Sequence, residues 1–120
     1  MNKSILKEKS FKFSVRIVNL YKFVIKEHHE FVLSKQLLRS GTAIGAMVRE
    51  AEFGHSKLDF IHKLSIAQKE ANETLYWLEL LRETGYLTQL QFESMHTEII
   101  ELLKLITASI KTAKKNLAAT

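Results

Sequence analysis

Apolar residues recur along this chain at spacings of three and four, the period of one face of an α-helix. In the first run they share one arc of a helical wheel: Phe13, Ile17, Leu20, Tyr21, Val24 and Ile25. Basic side chains dominate the opposite arc: Lys9, Lys12, Arg16, Lys22 and Lys26. The pattern predicts an amphipathic helix over residues 10–27, with Ser10 as its N-cap residue.

Three further runs with the same period follow, and short breaks separate them. They cover residues 34–53, 56–84 and 88–115. Each run begins at a residue that favours an N-cap: Ser34, Ser56 and Thr88. Gly54 and Gly85 stand where helices stop. Because short connections join antiparallel neighbours, we expect an all-α, antiparallel up-down-up-down four-helix bundle, formed by residues 1–120 as a single domain.

Small and polar residues occupy several positions that the helical period places on buried faces. They are Ser40, Gly41, Gly45, Gln68 and Asn72. A glycine inside a helix costs about 1 kcal/mol relative to alanine. The two glycines therefore indicate the close approach of a neighbouring backbone. Tyr76, Trp77 and Tyr86 are expected in the core or in an interface.

Composition narrows the class of protein. The chain has 120 residues, no proline, four glycines and no cysteine. The lack of proline and the few glycines suit long helices. The lack of cysteine excludes a disulfide framework or a thiolate metal site. No apolar stretch at the N-terminus reaches the length of a signal peptide or a membrane span. We expect a cytoplasmic protein with no membrane association.

The charge is distributed unevenly. Residues 1–39 carry nine Lys or Arg and three Glu, residues 40–103 carry five Lys or Arg and ten Asp or Glu, and residues 104–120 carry four Lys and no acid. The basic ends predict a surface for an anionic partner, or complementary faces that meet in an oligomer.

The middle of the chain contains a set of specific sequence pieces. They are QLLRS at 36–40, TAI at 42–44, EA at 50–51, DFIHKLSIA at 59–67, KEANET at 69–74, YWLELL at 76–81 and TGY at 84–86. With these pieces the chain resembles a family of four-helix bundles encoded in intervening sequences of bacterial 23S ribosomal RNA genes. It departs from the family at Gly45 and Met47, where many members have proline and asparagine.

The resemblance implies a bundle that assembles as a ring, a homopentamer. Similar accessory proteins of diversity-generating retroelements form basic rings that bind nucleic acid and a reverse transcriptase. Two functions are therefore expected: binding of an RNA or DNA backbone, or a structural ring that serves as scaffold for a protein partner such as a reverse transcriptase.

Lysine and arginine are the side chains that read phosphate. The expected nucleic-acid-binding residues are Lys9, Lys12, Arg16, Lys22, Lys26, Lys111, Lys114 and Lys115, with Lys104 beside them. A solvated helix face that keeps the protein soluble is the alternative interpretation. No base-reading motif is present, so binding should depend on charge and shape. Tyr21 and Phe23 suit a core or an interface better than base stacking.

Other chemistry has weaker support. Glu93 and His96 have the Glu-x-x-His spacing of di-iron bundles, but the first helix lacks the inward glutamate that such a site needs. A surface site on His55, Asp59 and His62 is equally weak, so we expect no metal and no cofactor. Glu70 and Glu73 are candidate acids that more often pair with arginine, for which Arg39 is available. Glu50 is expected to pair with Arg39 or Lys69. We therefore predict a protein that is not an enzyme.

Overall fold

The computed structural model describes residues 3–119, and it describes side chains from residue 5 onward. Four helices account for nearly all of this part of the chain: α1 Lys3–His28, α2 Leu33–Glu52, α3 Lys57–Glu83 and α4 Gln89–Ala119. Residues 3–119 contain no strand. The predicted four-helix fold is confirmed.

Contacts across each seam show that consecutive helices run antiparallel. Between α2 and α3, Arg39 pairs with Glu70 and Glu50 pairs with Lys63, so the numbers rise on one helix and fall on the other. The same reversal holds between α1 and α2, where the contacts are Lys7–Glu52 and Ile17–Gly41. It holds between α3 and α4, where they are Gln68–Thr107 and Arg82–Phe92. It also holds between α1 and α4, where they are Lys9–Glu101 and Arg16–Glu98. The bundle measures 53 × 22 × 19 Å, and the seam between α1 and α4 is the least extensive.

The core lies along the axis of the bundle and uses the apolar stripes of all four helices. Its largest fully buried side chains include Phe13, Ile17, Leu37, Ile44, Leu64, Leu78, Leu81, Ile99, Leu102 and Ile106. Burial of each such side chain stabilises the fold by about 1.5–3 kcal/mol relative to leaving it exposed. The bundle therefore presents its outward helix faces, including the basic ones, on a rigid support.

Helix α1 corrects the sequence prediction, since it includes residues well before Ser10. Ser10 is not an N-cap residue. It is buried inside the helix, where its hydroxyl donates to the Lys7 carbonyl oxygen at 3.1 Å. The physical reason is Leu6, which is 3% exposed and extends the apolar stripe two turns upstream of Phe13. Burial of this leucine outweighs the local capping preference of a serine.

Helix α4 is also longer than predicted, since it continues to Ala119 rather than stopping near residue 115. Leu117 packs against the core and holds the last turns in place. The starts of α3 and α4 are confirmed. The Ser56 hydroxyl accepts from the Asp59 N–H at 3.0 Å, and Thr88 and Gln91 form a reciprocal capping box.

The start of α2 is capped by Glu30 and not by Ser34 as predicted. The Glu30 carboxylate accepts hydrogen bonds from the N–H groups of Val32, Leu33 and Ser34 at 2.8, 2.9 and 2.7 Å. The Ser34 hydroxyl is buried and donates back to the Glu30 carbonyl oxygen at 2.7 Å. Partial burial opposes ionisation of Glu30, but the hydrogen bonds from Leu33, Ser34 and Val32 outweigh it and lower the pKa of this carboxyl.

Replacing Glu30 by alanine is expected to lower the free energy of unfolding by about 1 kcal/mol at neutral pH, as loss of a cap does. A carboxyl with a pKa lowered by folding stabilises the protein above its unfolded pKa and loses that effect as the pH falls through the folded pKa. The difference between Glu30→Ala and the wild type should therefore shrink in acid. Urea unfolding at several pH values measures it, and a difference independent of pH would contradict the assignment.

Of the small and polar residues singled out in the middle of the chain, Ser40 and Gly41 are buried as predicted. The Thr74 hydroxyl donates to the Ser40 hydroxyl at 2.9 Å, a buried bond between α3 and α2. Gln68 is half-buried and donates to Thr107 of α4 at 2.9 Å. The expectation for Asn72 is wrong, since its side chain is exposed and donates to the Gln68 carbonyl of its own helix.

Two aromatic residues of α3 lie at the surface of the bundle. Tyr76 is 57% exposed, so its placement in the core of this chain is excluded. It meets the half-buried Trp77 edge to face with ring centres 5.0 Å apart. An interface role for the pair stays a prediction.

Candidate nucleic-acid interface

A row of lysines lies along the outward face of α4. Lys104, Lys111 and Lys115 are seven and four residues apart, so they share one face of the helix and span about 16 Å. We call these three residues the lysine stripe. All three are exposed, as is the adjacent Lys114. None of the four forms an ion pair with any residue in the described part of the chain.

From Lys104 onward, α4 carries no acidic residue. Glu101 is the last acidic residue of the sequence, and it lies before the stripe begins. The exposed residues between the first two lysines are Thr107 and Ala108, which are small. The helix surface therefore allows close approach, and beyond Lys104 no carboxylate of α4 cancels its positive potential.

The N-terminal part of the predicted basic arc on α1 is different, because its cations are already paired. Lys9 contacts Glu101 at 2.5 Å, and Arg16 pairs with Glu98 and donates to the Ser94 hydroxyl at 2.8 Å. Within α1, Lys12 donates to Glu8 at 2.9 Å, and this hydrogen bond lowers the pKa of the Glu8 carboxyl. Three cations are matched by three carboxylates: Glu8, Glu98 and Glu101. This belt of ion pairs has no net charge.

Lys22 and Lys26 lie beyond this belt and belong to the other end of the bundle. Both are exposed and form no ion pair within residues 3–119. Because α1 and α4 are antiparallel, Lys22 lies roughly 30 Å along the bundle from Lys111. The site expected from the sequence is therefore divided: Lys111, Lys114 and Lys115 come together with Lys104, and Lys22 and Lys26 do not join them.

Tyr21 and Phe23, the aromatic residues of α1 considered for base stacking, do not lie next to the stripe. Tyr21 is half-buried. Phe23 is 36% exposed, and its ring meets the His28 ring edge to face with centres 6.0 Å apart. Both residues lie at the end of the bundle that is distant from Lys111. Contacts with a backbone at the stripe therefore do not involve them.

Glu70 and Glu73, the candidate acids, pair with arginine as expected. Arg39 of α2 reaches Glu70 at 3.3 Å and also pairs with Glu73. The Trp77 indole N–H donates to Glu73 at 3.1 Å, and together with Arg39 it lowers the pKa of that carboxyl. A carboxylate held in its ionised form is a poor general acid at neutral pH. The arrangement therefore fixes the seam between α2 and α3.

Glu50 is also in an ion pair, but the predicted partner is wrong. It pairs with Lys63 at 3.1 Å and not with Arg39 or Lys69. In the antiparallel register of α2 and α3, Lys63 is the basic residue opposite Glu50, whereas Arg39 is three turns away along its own helix. Arg39 is opposite Glu70 and Glu73 instead.

The structure gives no support for a metal site. Residues 3–119 contain no group of three His, Asp or Glu side chains placed to hold a metal ion. His96 stacks on Phe92 with ring centres 5.3 Å apart. Among the helices of the same residues, none combines the length and the apolarity that a bilayer crossing requires.

Both the sequence and the fold of this chain match known proteins. A sequence model of the 23S rRNA-intervening sequence protein family matches residues 2–108. The chain is similar to a protein of unknown function from the S23 ribosomal protein family of Bacteroides thetaiotaomicron, whose crystal structure is known. The two are 59% identical over 88% of this chain and 98% of the other, with a TM-score of 0.87. No protein of curated function matches. The chain belongs to the 23S rRNA-intervening sequence protein family.

Proposed function

We propose that this bundle is a non-enzymatic protein that binds the phosphate backbone of nucleic acid through α4. The observation that carries the proposal is the lysine stripe, with three exposed cations on one helix face and none in an ion pair within residues 3–119. A lysine without a carboxylate partner contacts a phosphate without first breaking an internal ion pair. Lys114 adds a fourth cation beside the stripe.

The driving force is the release of counterions from the nucleic acid when lysines neutralise phosphates. Lys9, Lys12 and Arg16 contribute less, because each would exchange one of three nearby carboxylates for a phosphate. The proposal therefore narrows the predicted site from both basic ends of the chain to the end formed by α4. Binding of this kind carries little sequence information.

The names of the similar proteins agree with an RNA-related role. The matching family is named after the intervening sequences of 23S rRNA, and the Bacteroides protein is assigned to a ribosomal protein family. A non-enzymatic role agrees with the pairing of Glu70 and Glu73 by Arg39. The fold supplies a rigid platform, and the cations on its surface supply the interaction.

The salt dependence of binding tests this function. The logarithm of the association constant for a labelled RNA should fall with the logarithm of the salt concentration, with a slope of about −3 to −4 if the four lysines each neutralise one phosphate. Fluorescence anisotropy titrations at several salt concentrations measure the slope. Absence of binding at low salt, or binding that does not respond to salt, would contradict the proposal.

We propose in addition that copies of the chain self-associate, as a pentameric ring by family resemblance. The supporting observation is an exposed apolar face on α1, where Phe11 is 55% exposed and Val15 is 46% exposed one turn away. A ring would repeat the lysine stripe and strengthen weak contacts through avidity. Light scattering should give a mass close to five times 13.9 kDa, and a peak at 13.9 kDa alone would contradict assembly.

A ring that acts as scaffold for a protein such as a reverse transcriptase is the second candidate. The same apolar face of α1 favours it, because exposed phenylalanine and valine suit a protein surface better than a phosphate backbone. Purified samples distinguish the two functions. Nucleic acid carried through purification, seen as a raised ratio of absorbance at 260 to 280 nm, supports the first, and a co-purifying polypeptide without nucleic acid supports the second.

A further inference from the structure

The lysine stripe lies on a convex surface and not in a groove. Lys104, Lys111 and Lys115 point away from the core on the outward face of a helix of 31 residues. Proteins that bind single strands commonly follow the backbone with a charged groove. The convex face of α4 has no groove that would hold a flexible strand in place. A rigid and regularly charged partner contacts the helix without such a groove.

The stripe also has no aromatic surface of its own on which bases could stack. The aromatic side chains of α4 between Gln89 and Ala119 are His96, which lies about two turns before Lys104, and Phe92, which is 6% exposed. Its ring is covered by the Arg82 guanidinium, 3.9 Å from the ring centre. Stacking on aromatic side chains supplies about 1–3 kcal/mol per base in single-strand recognition. That contribution is missing on the outward face of α4.

Charge density favours two strands over one. A duplex carries one negative charge per about 1.7 Å of its axis, counting both strands, so a stripe of about 16 Å faces roughly twice the charge that one strand alone would present. A duplex is also already ordered over this length, since its persistence length is about 50 nm. Three lysines on a rigid helix therefore gain more from a duplex, because a single strand must be ordered on binding.

We infer that the lysine stripe of α4 binds the backbone of a nucleic-acid duplex in preference to a single strand. The inference rests on the proposed function and adds the class of ligand. Recognition uses phosphates that RNA and DNA duplexes share, and the small residues Thr107 and Ala108 allow a backbone to approach between the lysines. The bases stay stacked in the duplex and are not read.

The test compares three labelled probes with the full chain at one low salt concentration. They are a short RNA duplex, a DNA duplex of the same sequence, and an oligouridine of equal length that forms no pairs. We expect both duplexes to bind at least about tenfold more tightly than oligouridine, with a steeper salt slope per contact, near −0.9 against −0.7. The two duplex arms show whether RNA or DNA is preferred.

The outcomes separately test the duplex preference, the proposed function and the assignment of the site to the lysine stripe. Oligouridine that binds as tightly as the duplexes, and is lost in Lys104→Glu/Lys111→Glu/Lys115→Glu, would overturn the duplex inference and leave the proposed function intact. Failure of all three probes to bind would overturn the proposed function itself. A duplex preference that persists in the triple variant would place the site elsewhere and overturn the assignment to the stripe.

Discussion

Replacing Gly41 by valine is expected to lower the free energy of unfolding by about 3 kcal/mol, the upper part of the range for overpacking a core. A Cβ atom at this position would lie 2.7, 2.8 and 2.8 Å from three side-chain carbons of Ile17. Gly41 is buried and Ile17 is 0% exposed, so neither side has space to move into. The added methyl groups would force α1 and α2 apart along their closest approach.

Urea unfolding of Gly41→Val measures this effect, with Ala46→Val as the control. Ala46 is on the same helix but exposed, so this variant adds a β-branched residue without a clash and should change stability by less than about 1 kcal/mol. In an Ile17→Ala background the penalty of Gly41→Val should become smaller, because the clashing atoms are gone. An equal penalty in both backgrounds would contradict the proposed close contact.

The glycine contact could be predicted from the sequence because glycine within a helix is unfavourable and needs a reason. Gly41 and Gly45 stood out for that reason, and the structure supplies the partner helix. Gly45 meets Ser14 and the Ser10 carbonyl, where an added Cβ would lie 3.0 and 3.2 Å from their oxygen atoms. The sequence could not identify α1 as the partner, since that depends on packing between distant segments.

The expectation for Asn72 failed because this residue lies beside the buried stripe of α3 and not within it. The buried residues of α3 include Leu64, Ala71 and Leu78, and also Ala67, Thr74 and Leu81, two sets with a spacing of seven. On a wheel with 3.6 residues per turn, Asn72 lies more than about 100° from the middle of these two sets, whereas Thr74 lies within them and contacts Ser40.

The basic arc shows a second limit of sequence reasoning. A wheel drawn for one helix places Lys9 and Arg16 on a common face, but it contains no information about carboxylates on a helix some 80 residues away. Glu98 and Glu101 neutralise that face only after α4 packs beside α1. The lysines at the end of α4 have no carboxylate of their own helix to pair with, because no acidic residue follows Glu101, a feature that is visible in the sequence.

Reversing the charge of the whole lysine stripe is expected to weaken nucleic-acid binding at low salt by at least about 100-fold. In Lys104→Glu/Lys111→Glu/Lys115→Glu, three favourable phosphate contacts become three repulsive ones. The fold should persist, because the three side chains are exposed and form no ion pair within the described residues. Unchanged cooperative unfolding in urea would show that the loss concerns binding alone.

The matched control is Lys22→Glu/Lys26→Glu/Lys35→Glu. It makes the same change in net charge with three exposed lysines at the opposite end of the bundle. If binding depended on net charge alone, both triple variants would lose affinity equally. Because the proposed contact is local, the control should weaken binding by less than about tenfold, through the longer-range field only.

The most direct measurement is therefore an anisotropy titration of one labelled RNA duplex at low salt with three proteins: the wild type, the stripe variant and the control variant. We predict that the wild type and the control bind with similar affinity, and that the stripe variant shows no saturable binding over the same concentrations. Equal binding by the wild type and the stripe variant would contradict the account that α4 is the nucleic-acid interface.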